Sequence, residues 1–138
     1  MPLNTYLHYA NGRCAEAFAC YEGLLAGRIT ERLTYGQSPM ADQTPPELRE
    51  RIMHMRLELP GGAVLMGSDA PPQFAAPMQG FSVALTVAAA EEAERVFAGL
   101  AADGTVHVPL HETFWASRFG MLIDAFGVPW LINCNREG

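Results

Sequence analysis

Apolar residues recur along this chain with two alternating periods. Residues 5–10 read as a strand that ends at Asn11-Gly12, with Asn11 placed to cap the next element. Cys14, Ala17, Phe18, Tyr21, Leu24 and Leu25 then trace one face of a helix, with Gly27 as its stop. Residues 29–35 read as a strand ending at Gly36, and residues 37–43 as a mobile loop. Thr44-Pro45-Pro46-Glu47 has the spacing of a capping box with proline in the first turn, which predicts a short helical turn. Residues 52–59 alternate: Met53, Met55, Leu57 and Leu59 share a core face, while Ile52, His54, Arg56 and Glu58 share the other. Pro60-Gly61-Gly62 turns the chain into a returning strand over 63–68. Its register is open: Met66 falls beside either Arg56 or Leu57. Three prolines make residues 70–80 an extended linker.

The pattern then restarts. Residues 81–88 read as a strand and 91–102 as a helix with Ala93, Val96, Phe97 and Leu100 on its stripe, ended by Gly104. A shift of 76 positions carries Glu16 onto Glu92, Ala17 onto Ala93, Tyr21 onto Phe97, Gly23 onto Gly99, Leu24 onto Leu100 and Ala26 onto Ala102. Six like residues at like helical angles indicate an internal repeat. Strands over 105–109, 119–124 and 128–134 complete the second half, so each half is strand, helix, strand, strand, strand. His107 and His111 lie four apart, but Pro109 between them argues against a helix that would bring them together.

This order resembles the vicinal oxygen chelate superfamily, the glyoxalase/bleomycin-resistance fold. Three stretches are similar to its PhnB-like branch: Ile52-Met53-His54, Leu65-Met66-Gly67-Ser68-Asp69, and Val108-Pro109-Leu110 with Thr113-Phe114-Trp115-Ala116, Phe119-Gly120, Asp124, Phe126-Gly127 and Trp130. The resemblance implies an α+β fold of two tandem βαβββ modules forming curled mixed sheets. It implies one domain over residues 1–138, with a first module at about 1–69, a linker at about 70–80 and a second module at about 81–138. A homodimer is also implied.

In metal-using members, His, Gln or Glu ligands come from the first and last strands of each module. The repeat places those positions at Tyr6, near Met66, at Ser82 and near Leu131. This set lacks the donors a hard cation needs, so neither metal nor cofactor is expected at the standard site. A displaced site from His8, His54 and Glu58 is the alternative, which would make the chain a metal-dependent lyase, isomerase or dioxygenase. The leading expectation is a small-molecule pocket lined by Tyr6, His8, His54, Arg56, Met66, Ser82 and Trp115, its ligand unknown. A sequestering protein of the drug-resistance kind is the third reading.

Composition narrows the partners. The 138 residues carry a formal net charge of −6, the wrong sign for tracking phosphates, so nucleic acid is not an expected partner. No apolar run approaches the roughly 20 residues of a membrane helix. The three cysteines, Cys14, Cys20 and Cys134, form no CxxC pair and read as reduced thiols of a cytoplasmic protein. No glycine-rich phosphate loop and no doubly wound nucleotide-binding sheet is indicated.

Overall fold

The computed structural model describes residues 1–136 and divides them into two compact units, one up to Pro77 and one from Met78. The first unit contains β1 (Thr5–Tyr9), α1 (Cys14–Leu24), β2 (Arg28–Thr34), β3 (Ile52–Glu58) and β4 (Val64–Asp69). The second contains β5 (Val83–Val87), α2 (Ala90–Ala101), β6 (Thr105–His111), β7 (Ala116–Ile123) and β8 (Pro129–Asn135). The sheets run β1-β4-β3-β2 and β5-β8-β7-β6. In each, the first strand pairs in parallel with the last and the other pairings are antiparallel. Both units are thus mixed βαβββ modules.

Each helix buries one stripe on its sheet. In α1 the buried residues are Cys14, Ala17, Phe18 and Tyr21; in α2 they are Ala93, Val96, Phe97 and Leu100. Leu24 and Leu25, expected on the first stripe, are only half-buried. Close packing requires glycine on the strands beneath. A Cβ at Gly67 would come within 3.0 Å of the Phe18 ring, and one at Gly120 within 2.6 Å of the Phe97 ring. Leu7, Tyr9, Met55, Leu57 and Leu65 complete the first core; Leu122, Trp130 and Ile132 complete the second.

Several local expectations are corrected. The helix stops are not the glycines themselves. Ala26 and Asp103 take the left-handed conformation (φ 54° and 59°), and the glycine after each is needed for close approach instead. A Cβ at Gly27 would meet the Leu59 side chain at 2.8 Å, and one at Gly104 would overlap the Ile123 carbonyl. Asn11 accepts from the Arg13 amide at 3.2 Å and does not cap α1; the buried Asp69 carboxylate takes the Cys14 amide at 3.0 Å. The capping box lies at Thr34 and Gln37, which exchange hydrogen bonds, and not at Thr44 and Glu47. The segment expected as a loop is folded into 3₁₀ turns at Tyr35–Gln37 and Ala41–Gln43, while the short helical turn expected after Thr44 is present at Pro46–Leu48. The linker contains a further turn at Pro72–Phe74.

Ile52, expected opposite the core face, is 1% exposed. A bulge causes this: Thr34 pairs with Ile52 while Leu33 pairs with His54, so the extra residue Met53 resets the alternation. The start of the last hairpin is also earlier than expected. β6 continues through Pro109, which a sheet tolerates because β6 is an edge strand, and β7 begins at Ala116. Trp130 is buried and donates its indole N–H to Asp124 Oδ2 at 2.9 Å, while Asp124 Oδ1 accepts from the Phe126 and Val128 amides. No helix among the described residues is long and apolar enough to cross a membrane.

Candidate functional site

Strand alternation in the first unit sends two sets of side chains to opposite faces. Leu7, Tyr9, Met55, Leu57 and Leu65 go toward α1. Tyr6, His8, Glu31, His54, Arg56, Met66 and Ser68 occupy the face without a helix. Arg56 pairs with Met66 and Met66 with Tyr6, which settles the hairpin register and lines the three residues up across β3, β4 and β1.

A hydrogen-bonded chain crosses this face. His54 Nε2 is 2.8 Å from Glu31 Oε2, and His54 Nδ1 is 3.0 Å from the Tyr6 hydroxyl. A carboxylate only accepts, so in the neutral ring Nε2 carries the proton and Nδ1 accepts from Tyr6. The Tyr6 and His54 rings stack at 5.7 Å, and the His8 ring lies 5.1 Å from that of Tyr6. His8 Nδ1 meets the Ser68 hydroxyl at 3.4 Å. Burial raises the Tyr6 phenol above its ordinary pKa, a shift that the Ser68 hydroxyl partly opposes. The phenol therefore stays protonated through the neutral range, with its proton directed at His54 Nδ1 and its oxygen still able to accept. Arg56, half-buried, lies 3.4 Å from Glu58. The arrangement can present one hydrogen-bonding centre at Tyr6 and one cationic group at Arg56, separated by the thioether of Met66.

Glu31 is absent from the expected site. In sequence it is an ordinary charge in a strand with Arg28 and Arg32. Only the β2–β3 register, which pairs Glu31 with Arg56, brings it within reach of His54.

The remaining expected residues lie in the second unit. Ser82 precedes β5 and lines a cavity of about 270 Å³ with Phe81, His107, Met121 and Pro129. It is not the counterpart of Tyr6. Ala84 is, because Ala84 pairs with Leu131 as Tyr6 pairs with Met66. The repeat offset is 76 between helices but 78 between first strands, since residues 88–89 join β5 to α2 where 10–13 join β1 to α1. Trp115 is 46% exposed and forms an aromatic cluster with Phe114 at 4.8 Å and Phe119 at 5.3 Å.

The family model of the Glyoxalase/Bleomycin resistance protein/Dioxygenase superfamily matches residues 5–132. The chain belongs to this superfamily. It is similar to Protein YjdN of Escherichia coli (strain K12), with 36% identity over 145 residues covering 99% of this chain and 97% of the relative. The crystal structure of protein PA1353 from Pseudomonas aeruginosa is similar at 40% identity and a TM-score of 0.86, covering 99% of this chain and all of that one. A putative 3-demethylubiquinone-9 3-methyltransferase, PhnB protein, from Bacillus cereus is similar at 26% identity and a TM-score of 0.78, covering 97% and 99%.

The repeat and the strand pairing mark the positions that the resemblance implies for metal ligands. They hold Tyr6 and Met66 in one unit and Ala84 and Leu131 in the other. A neutral phenol, a thioether and two hydrocarbon side chains do not fit a divalent cation. The displaced set fares no better. Both ring nitrogens of His54 are engaged, Glu58 faces Arg56, and no group of three or more His, Cys, Asp or Glu is gathered among the described residues.

Proposed function

We propose that this chain binds a small organic molecule on the helix-free face of its first sheet, using hydrogen bonds and charge where metal-using relatives use a cation. The observation that carries this reading is the Glu31–His54–Tyr6 chain. Three polar side chains from three strands are ordered toward one another on a face where packing does not require them. Arg56 supplies a place for an anionic group, the Tyr6 hydroxyl oxygen a hydrogen-bond acceptor, and Met66 an adaptable apolar contact between them.

A fragment set of small carboxylates and phenols, monitored by amide chemical shifts, tests the reading. Hits are expected to perturb Tyr6, His54 and Met66. Tyr6→Phe should weaken them by about tenfold, the size of one lost hydrogen bond. Hits that leave this face untouched, or bind Tyr6→Phe equally well, would refute it.

The two modules are read as one domain, and the protein as a cytoplasmic homodimer. Three free cysteines fit a reducing compartment. The superfamily's frequent dimers and the exposed side chains of Phe74, Phe114 and Trp115 fit self-association. Sedimentation at micromolar concentration is expected to give twice the chain mass; a stable monomer would remove the dimer from this reading.

A further inference from the structure

The chain has nine arginines and no lysine. Five of the arginines are half-buried: Arg13, Arg49, Arg51, Arg56 and Arg118. Four of these have partners. Arg13 pairs with Glu16, Arg56 with Glu58 and Arg118 with Glu94. Arg49 Nε donates to the carbonyls of Ala41 and Thr44, at 3.1 Å each. Among the described residues, the Arg51 guanidinium meets neither a carboxylate nor a carbonyl. The nearby acids Asp42, Glu47 and Glu50 are exposed and none of them pairs with it. A partly buried arginine without a polar partner is less favourable than a paired one, and an anion delivered to it supplies that partner.

The guanidinium also packs against the turn after β1. It lies over Gly12, where a Cβ would come 2.9 Å from Cζ and 3.0 Å from Nε. Gly12 sits at φ +73°, so the tight turn after β1 leaves room for the planar group. A packed guanidinium offers its fork of N–H donors in one orientation, which suits the two oxygens of a carboxylate.

Arg51 borders a cavity of about 230 Å³ between the 3₁₀ turns of residues 35–51 and the start of the linker. Tyr35, Met40, Pro45, Leu48, Pro71 and Pro72 give it apolar walls. Those walls are fixed by hydrogen bonds: Arg49 ties Ala41 to Thr44, and the Tyr35 hydroxyl donates to the Asp69 carbonyl at 2.8 Å. The volume is below the roughly 300–1,000 Å³ of drug-sized ligand sites, which limits an occupant to about one ring and a short acid arm.

We propose that Arg51 and this cavity form a second binding site, selective for a small aryl carboxylate. The ring occupies the proline- and methionine-lined hollow and the carboxylate takes the Arg51 fork. The lining shares no residue with the Tyr6–His54 face, and the site does not depend on the function proposed for that face.

Phenylacetate is the probe, titrated into the full chain and monitored by amide chemical shifts. Saturable shifts are expected over residues 40–48 and 70–73. Phenylacetamide keeps the ring and loses the charge; acetate keeps the charge and loses the ring. Each should bind at least about tenfold more weakly than phenylacetate. Arg51→Gln should weaken phenylacetate by a similar factor, and Arg51→Lys by less, since it restores charge but not the fork. The amide comparison uses the unaltered protein, so it stands even if a variant folds poorly. The absence of saturable shifts would overturn the proposal. So would equal binding of phenylacetamide, indifference to Arg51→Gln, or shifts confined to Tyr6 and His54. Because the two sites report through different amides, either can fail alone.

Discussion

Replacing Asp69 with alanine is expected to destabilise the first unit by about 2–6 kcal/mol. Asp69 is 1% exposed and ends β4. Its Oδ1 accepts the Cys14 amide at 3.0 Å and its Oδ2 accepts the Ile52 amide at 2.8 Å. One carboxylate thus satisfies the N-terminus of α1 and the first residue of β3, and its charge opposes the positive end of the helix. Alanine leaves two buried donors without acceptors, and each costs roughly 1–3 kcal/mol. The sum is a large part of the roughly 5–15 kcal/mol by which whole domains are stable. Asn is no remedy, because it keeps one oxygen but turns an NH₂ toward the other amide. The measurement is a urea melt: the midpoint should fall sharply for both variants with the slope unchanged. A loss below about 1 kcal/mol for Asp69→Ala would show that these amides find other acceptors. The same carboxylate adds to burial in pushing the Cys14 thiol pKa up, so Cys14 is a packing residue and a poor nucleophile.

The second large effect separates the two faces of β3. Leu57→Ala is expected to cost about 2–5 kcal/mol, the range for emptying a buried leucine site. Leu57 is fully buried and pairs with Leu65, under α1. His54→Ala, three residues earlier on the other face, should cost no more than about 1 kcal/mol, since its partner Glu31 is exposed. The histidine change should instead abolish any ligand effect that depends on Tyr6. If it were the more destabilising of the two by denaturant melt, His54 would be a structural residue and the site reading would lose its central member.

The sequence carries the modules well because they rest on periodicity. Both helix stripes, the alternation through Met55 and Leu57, and the restart after the proline-rich segment arise from single-residue patterns, and the structure has all three. What the sequence hides is whatever depends on pairing. Glu31 joins His54 only through a β2–β3 register with two irregularities, and no local pattern encodes that. Ser82 falls opposite Tyr6 only if the helix offset is carried into the strands, and a loop two residues shorter breaks that transfer. Asp69 sits in a stretch that signals a family, but its role as a cap for residues 55 and 17 positions earlier is invisible without the fold. Arg51 looks like any charge beside Arg49; only the structure shows which of the two is satisfied.

The order of the strands exposes unequal borders. Each four-stranded sheet has two outer strands, and in each unit one of them is guarded. β2 carries Arg28, Glu31 and Arg32, and β6 carries Pro109, devices that discourage a foreign strand from pairing. The other two, β1 with Thr-Tyr-Leu-His-Tyr and β5 with Val-Ala-Leu-Thr-Val, have no formally charged residue and no proline. Short, uncharged and rich in β-branched or aromatic residues, they are the segments through which partly unfolded chains would join one another. Variants that loosen the first unit should therefore be lost to aggregation, with heating irreversible. For such variants, the yield of recoverable protein would be governed by how fast β1 finds β4 rather than by equilibrium stability.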